Sequence, residues 1–178
     1  MEQTKWLDRK FRFPFEQNIF PSILERLEGT SIRLNYKVSQ IAKEHLTLKF
    51  EGKWSIQENI GHLIDLEPLW LGRLEDILND AEIMRRTADL ENHKTDLASY
   101  NEKKIKKLLT DFLSLRQKTL YSLIKLNETE IYKHALHPRL RIPMRVMDLF
   151  LFVAEHDDHH MARISQLNKL IIAKPKLY

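Results

Sequence analysis

Apolar residues recur along most of the chain at spacings of three and four, the period of a helix with one buried face. Ile32, Leu34, Val38 and Ile41 give such a face to a segment of roughly 31–43. Ile60, Leu63, Ile64, Leu71, Leu74, Ile77 and Leu78 give a second, reaching about Asn79. Ile105, Leu108, Leu109, Phe112, Leu115, Leu120, Leu123 and Ile124 mark a third, predicted over 97–126. Met144, Met147, Leu149, Phe150, Leu151, Val153, Ile164, Leu167 and Leu170 carry a fourth to about Ile172. Four long amphipathic helices predict an all-α four-helix bundle.

Local signals set where these helices begin and end. Ser55-Ile56-Gln57-Glu58 has the S-x-x-E form of a capping box, so the second helix starts there. Pro68 lies inside that helix and removes the hydrogen bond to the Ile64 carbonyl, which predicts a kink one turn beyond His62. Gly29 followed by Thr30 reads as one helix stopping and another being capped, leaving a short helix through Ile23 to Leu27 before it. Pro143 suits the first turn of the last helix. Leu46 to Phe50 alternates like a strand but has no partner and is read as an extended linker. The stretches 80–94 and 127–142 are irregular, so simple up-down-up-down connectivity is not forced. The aromatic-rich residues 1–20 (Trp6, Phe11, Phe13, Phe15, Phe20), punctuated by Pro14 and Pro21, form an N-terminal arm across the body.

Composition narrows the chemistry. With 178 residues and 43% apolar content, the chain makes one domain, 1–178, with a real core. The complete lack of cysteine excludes disulfide scaffolds, thiolate zinc sites, iron–sulfur clusters and cysteine nucleophiles. Only four glycines, where ordinary usage gives about twelve, disfavour phosphate-cradling loops and all-β folds. The net charge of +4 permits anionic partners without demanding them. The opening MEQTKWLDRK has no apolar core, and the longest apolar run, Leu149 to Ala154, is far shorter than the roughly 20 residues of a membrane span. A soluble, cytoplasmic protein without a membrane partner is expected. Lys103, Lys104, Lys106 and Lys107 read as a solvated face more readily than as a nucleic-acid site, because no aromatic residues interleave with them.

Histidine carries the chemistry. Glu155-His156-Asp157-Asp158-His159-His160 places His156 and His160 four residues apart, on nearly the same helical face, a spacing by which two imidazoles hold one metal ion. Phe152, Val153 and Ile164 turn that face towards the core. His62, on the apolar stripe of the second helix, supplies a third imidazole. A lone histidine on an apolar face is more often a core residue than a ligand. Two facing helices that must pack, with three such rings between them, favour a shared divalent ion with open coordination positions. His159 points to one flank and is read as a surface or supporting group; Asp157 and Asp158 either orient the imidazoles or form a solvated acidic face. H-D-x-x-H echoes the H-E-x-x-H of zinc proteases with an acid one methylene shorter, and the paired Glu-x-x-His of di-iron bundles is missing. Glu58 is explained by the capping box before it is needed as a fourth ligand.

Lys53-Trp54-Ser55-Ile56-Gln57-Glu58 followed by Gly61-His62-Leu63-Ile64-Asp65 resembles the second-helix signature of the DinB/YfiT-like family. Met144-Arg145-Val146-Met147-Asp148 leading to Phe152-Val153-Ala154-Glu155-His156-Asp157-Asp158-His159-His160 resembles its last-helix signature. The likeness runs from about Pro21 to Leu170, with Pro68 and Asn59 as mild departures. It implies a down-up-up-down bundle, often a homodimer, with His62, His156 and His160 holding a divalent metal at the bottom of a pocket. Better-understood relatives are bacillithiol S-transferases and mycothiol-dependent maleylpyruvate isomerase. The resemblance therefore implies a metal-dependent enzyme that activates a low-molecular-weight thiol, or water, against a small electrophile. Zn²⁺ or Ni²⁺ suits imidazole best, with Mn or Fe as further choices. Trp54 is placed at the pocket mouth, and Arg141 or Arg145 as the holder of a carboxylate of thiol or substrate. The alternative is a non-catalytic stress or scaffold bundle with a structural metal.

Overall fold

The computed structural model describes residues 3–13 and 16–173. In chain order it contains α1 (Phe20–Ser39), α2 (Ile56–Leu78), α3 (His93–Leu97), α4 (Ile105–Leu123), α5 (Glu128–Tyr132), β1 (His134–Leu136), β2 (Pro143–Arg145) and α6 (Val146–Ala173). The long helices α1, α2, α4 and α6 form the bundle. α1 packs against α4 and α6, and α2 packs against the same two, which sets α1 and α2 diagonally opposite each other. The first two long helices are therefore not neighbours in space, and the connectivity departs from up-down-up-down.

Several boundaries differ from the sequence expectation. Gly29 and Thr30 do not divide α1, which runs unbroken through them. Thr30 is buried, and its Oγ1 lies 3.0 Å from both the Arg26 carbonyl and Asp157 Oδ2, so the hydroxyl is used inside the bundle instead of capping a helix. α1 also stops at Ser39, short of 43. α4 begins at Ile105 and not at 97, because Ser99 takes a positive φ of 50° that no α-helix accommodates, and Leu97 is exposed. Pro143 is not a helix-start residue. It opens β2, paired with Leu136 of β1 in an antiparallel hairpin, where a missing N–H is tolerated at the first position of an edge strand. The capping box at Ser55 and Glu58 is formed as expected, and α2 continues as helix past the exposed Pro68. In the arm, Trp6, Phe11 and Phe13 pack on the bundle; Pro14 and Phe15 lie outside the described residues.

The core has two apolar clusters. One gathers Ile23, Leu27, Trp70, Leu74, Phe150 and Phe152; the other gathers Leu34, Ile60, Leu63, Phe112, Ile164 and Leu167. Between them lies a buried polar layer with one side chain from each long helix: Thr30, Glu67, Arg116 and Asp157. Arg116 donates to Glu67 Oε1 at 2.6 and 2.9 Å, to Asp157 at 2.6 and 3.1 Å, and to the Leu27 carbonyl at 3.2 Å. One guanidinium thus ties together α1, α2 and α6 from its seat on α4, fixing the rotation of the two helices that carry the histidines.

Candidate metal centre

His62, His156 and His160 meet beside this polar layer. Each is buried, and each offers a ring nitrogen within 4.8 Å of the others. A cation at bonding distance from all three requires only a small inward turn of the rings. The spacing argument holds geometrically: His156 and His160 have ring centroids 4.5 Å apart, and His62 lies 5.4 and 4.9 Å from them.

The neighbours of the rings decide which nitrogen faces inward. His62 Nδ1 is 3.1 Å from Thr95 Oγ1, and Thr95 spends its only proton on Asp65 Oδ2 at 2.9 Å. Thr95 must therefore accept from His62 Nδ1–H, which leaves the Nε2 lone pair free for a metal. Tyr100 donates to the other Asp65 oxygen at 2.8 Å and holds that carboxylate in place. His160 Nδ1 is 3.0 Å from Asn59 Oδ1, an oxygen that only accepts. Asn59 is oriented by donating Nδ2–H to the Ser55 carbonyl at 2.7 Å, so His160 likewise has its Nε2 lone pair free. These are the outer contacts that orient metal-binding imidazoles. His156 has an Nδ1 that is buried without any hydrogen-bond partner among the described residues. Three neutral imidazoles, two with their tautomers fixed and one with an orphaned nitrogen, fit a divalent ion of the Zn or Ni type.

Burial keeps the rings neutral. It pulls His62 down to about 4 against the opposing pull of Asp65. His156 and His160 are lowered well below the ordinary histidine value, again by burial first, with the other rings adding to the effect. Neutral imidazole is the ligand form. His159 is half-buried and lowered to about 4 by burial and then Arg9; its ring lies 5.3 Å from that of His160. It flanks the centre, as its position on the helix predicts.

The two aspartates do not orient imidazoles. Asp157 is taken by Arg116 and Thr30, and Asp158 pairs with Arg26 and Arg33 at the surface. Glu58 accepts from the Ser55 N–H and pairs with Lys49 at 2.8 Å, so it is no ligand. On the basic cluster, Lys107 pairs with Asp111 and Lys103 sits over the Tyr100 ring, as a solvated face does.

The three histidines open into a cavity of about 420 Å³ walled mainly by Trp6, Trp54, Leu66, Trp70 and Phe152. Trp54 lines this cavity: its ring lies 4.8 Å from His62, and Nε1–H donates to Asp96 at 2.6 Å. Arg141 and Arg145 do not line this cavity, which corrects the expectation. Arg145 is held by Asp148 at 2.7 Å and lies over Tyr132, and Arg141 sits in the β1–β2 turn at a positive φ of 56°. The cations that do line it are Arg73 and Arg139, with His137 between them. A signal for Arg73 was present, since it continues the face of α2 that carries His62; His137 and Arg139 lie in the irregular stretch and gave none.

A model of the DinB superfamily matches residues 26–164. The chain belongs to that superfamily. No curated protein matches this DinB chain. Among solved structures it is similar to YfiT from Bacillus subtilis, described as "a probable metal-dependent hydrolase with an unusual four-helix bundle topology". The likeness has a TM-score of 0.78 at 20% identity and covers 93% of this chain and 95% of that one, which shows a shared fold. No helix among the described residues is long and apolar enough to cross a membrane.

Proposed function

We propose that this DinB protein is a metal-dependent enzyme in which His62, His156 and His160 hold one divalent ion, with Zn²⁺ or Ni²⁺ the best match to the donors. The observation that carries this reading is the convergence of three neutral imidazoles, two of them oriented by hydrogen bonds, on one wall of a ligand-sized cavity. A structural site closes its coordination with protein donors, whereas three ligands facing a cavity leave positions for water or substrate. When bound, such an ion acts as a Lewis acid that lowers the pKa of water or a thiol into the neutral range. The chain has no cysteine, so a sulfur nucleophile comes from a separate low-molecular-weight thiol. The description of YfiT as a metal-dependent hydrolase supports water as the other nucleophile.

The protein's own groups do the rest. Thr95 and Asn59 hold two rings in their ligand tautomers. Trp6 and Trp70 pack edge-on against His156 at 4.8 and 5.9 Å and keep bulk water from that side. Elemental analysis of the purified protein and of His156→Ala tests the proposal, followed by turnover assays with an activated ester and with an alkylating electrophile plus several thiols. About one metal per chain, lost in the variant together with turnover, is the expected result. Metal whose removal lowers the melting temperature while no substrate turns over establishes the structural alternative instead.

A further inference from the structure

α2 presents His62, Leu66, Trp70 and Arg73 at intervals of four, four and three, a single helical face, and all four line the same cavity. At 1.5 Å per residue the Arg73 backbone lies about 16 Å along the helix from that of His62. The cavity therefore has a metal-ligating end, an apolar middle and a cationic end.

The cationic end is short of acceptors. Arg73 is only 2% exposed, yet it makes no ion pair among the described residues. Asp76, one turn further on, spends its oxygens on Arg85 and Arg86. Arg73 Nε donates to the Arg86 carbonyl at 3.1 Å, and one Nη lies 3.0 Å from His137 Nε2. His137 is a poor counterpart. Its Nδ1 is already approached by the N–H groups of Arg139 at 3.2 Å and Leu140 at 3.1 Å. Three donors meet a neutral ring with one lone pair, and protonating the ring only adds a donor. Burial, reinforced by Arg73 and Arg139, in any case pulls His137 down to about 3. The Arg139 guanidinium lines the same wall with no side-chain partner among the described residues. A buried guanidinium without a counter-ion is costly, and a donor surplus facing a cavity points to an anion supplied from outside.

We propose that Arg73, assisted by Arg139, binds the carboxylate of an amphiphilic small molecule whose apolar body lies along Leu66, Trp70 and Phe152 and whose far end reaches the three histidines. The guanidinium fork matches a carboxylate geometrically. The apolar wall of Leu66, Trp70 and Phe152 beside these guanidiniums suits an acid with an apolar body better than free phosphate, which has nothing to bury there. The assignment of the reacting end rests on the proposed metal centre; the carboxylate site does not.

The test is calorimetric binding of 4-phenylbutyrate, 4-phenylbutyramide and inorganic phosphate to the purified protein, before and after EDTA treatment. The acid is expected to bind at least tenfold tighter than the amide in both states, and phosphate to bind more weakly than the acid. Arg73→Gln is expected to abolish that preference while retaining its metal content. Equal binding of acid and amide, binding of neither, or phosphate binding as tightly as the acid overturns the proposal. A preference that disappears with EDTA overturns it too, because the carboxylate then sits on the metal. If Arg73→Gln does not fold, the acid–amide comparison in the wild type and in Arg139→Gln, expected to weaken the preference, decides. A metal-free wild type that keeps the Arg73-dependent preference supports this site while removing the proposed enzymatic centre.

Discussion

Replacing Arg116 by methionine removes the one cation from a layer that holds two buried carboxylates. Glu67 and Asp157 are 2% and 0% exposed, and with Arg116 gone their charges face each other across an apolar core. Breaking a buried pair by removing one partner costs about 3–5 kcal/mol, because the remaining charge is uncompensated. At about 2–4 °C per kcal/mol for a chain of this size, the melting temperature falls by about 6–20 °C. The loss depends on pH in a definite direction. Burial already holds Glu67 above the ordinary carboxylate value, despite Arg116, and the variant raises it further. A carboxyl raised in the folded state binds more protons there than in the unfolded chain, so stability is lost as pH rises through the folded pKa. The deficit is therefore largest at pH 7 and above and shrinks as pH falls towards the ordinary carboxylate range. Urea denaturation at pH 7.5, 6 and 5 measures it. Adding Glu67→Gln and Asp157→Asn to Arg116→Met should recover most of the loss, since no bare charge remains. A single variant as stable as wild type at pH 7.5, or a deficit that grows in acid, refutes the reasoning.

Gly61→Ala puts a methyl group inside the Tyr100 ring, which cannot swing aside because its hydroxyl is bound to Asp65 and its carbonyl accepts from Gln57; a cost of about 1–3 kcal/mol in urea denaturation is expected. Asn59→Ala and Thr95→Val each remove the acceptor of an imidazole in the proposed metal site, and each should weaken metal binding about 10–100-fold in a chelator competition. The metal-free protein should lose stability as pH falls below about 6.5. His62, His137, His156 and His160 are all lowered in the folded state, so the unfolded chain takes up protons first. Each ring contributes up to about 1.4 kcal/mol per pH unit. A flat profile between pH 7 and 5 contradicts the burial argument.

The parts of this molecule that short-range chemistry determines were legible in the sequence. Ser55 and Glu58 satisfy each other within one helical turn, and the spacing of His156 and His160 is a property of the helix itself. His62 followed because α2 has to bury the stripe it sits on. What failed was decided at long range. Thr30 looks like a cap until Asp157, more than a hundred residues away, takes its hydroxyl. Asp157 looks like a partner for the adjacent histidines until Arg116 claims it. Arg145 is the exception, a short-range miss: Asp148, only three residues on, already binds it. Arg73 carried a weak signal, yet its lack of a counter-ion is visible only once Arg85 and Arg86 are seen to occupy Asp76.

The aromatic arm is part of the site and not decoration on it. Trp6 meets Phe11 and Phe152 at 4.8 and 4.9 Å and stands edge-on to His156 at 4.8 Å, over the ring whose Nδ1 has no partner among the described residues. Burial is the largest cause of the depressed His156 pKa, and Trp6 supplies part of that burial. Trp6→Ala should therefore admit water, let His156 rise towards the ordinary histidine value, and reduce the protons taken up on unfolding. The acid slope of the metal-free protein then becomes shallower by up to about 1.4 kcal/mol per pH unit. Because the ring is only half-buried, the accompanying loss of stability is about 2 kcal/mol, below the 3–5 kcal/mol of a fully buried tryptophan. Trp6→Phe keeps the cover and should keep the slope. A slope unchanged in Trp6→Ala means that the arm packs beside the histidines without shielding them, and that burial of His156 comes from the bundle alone.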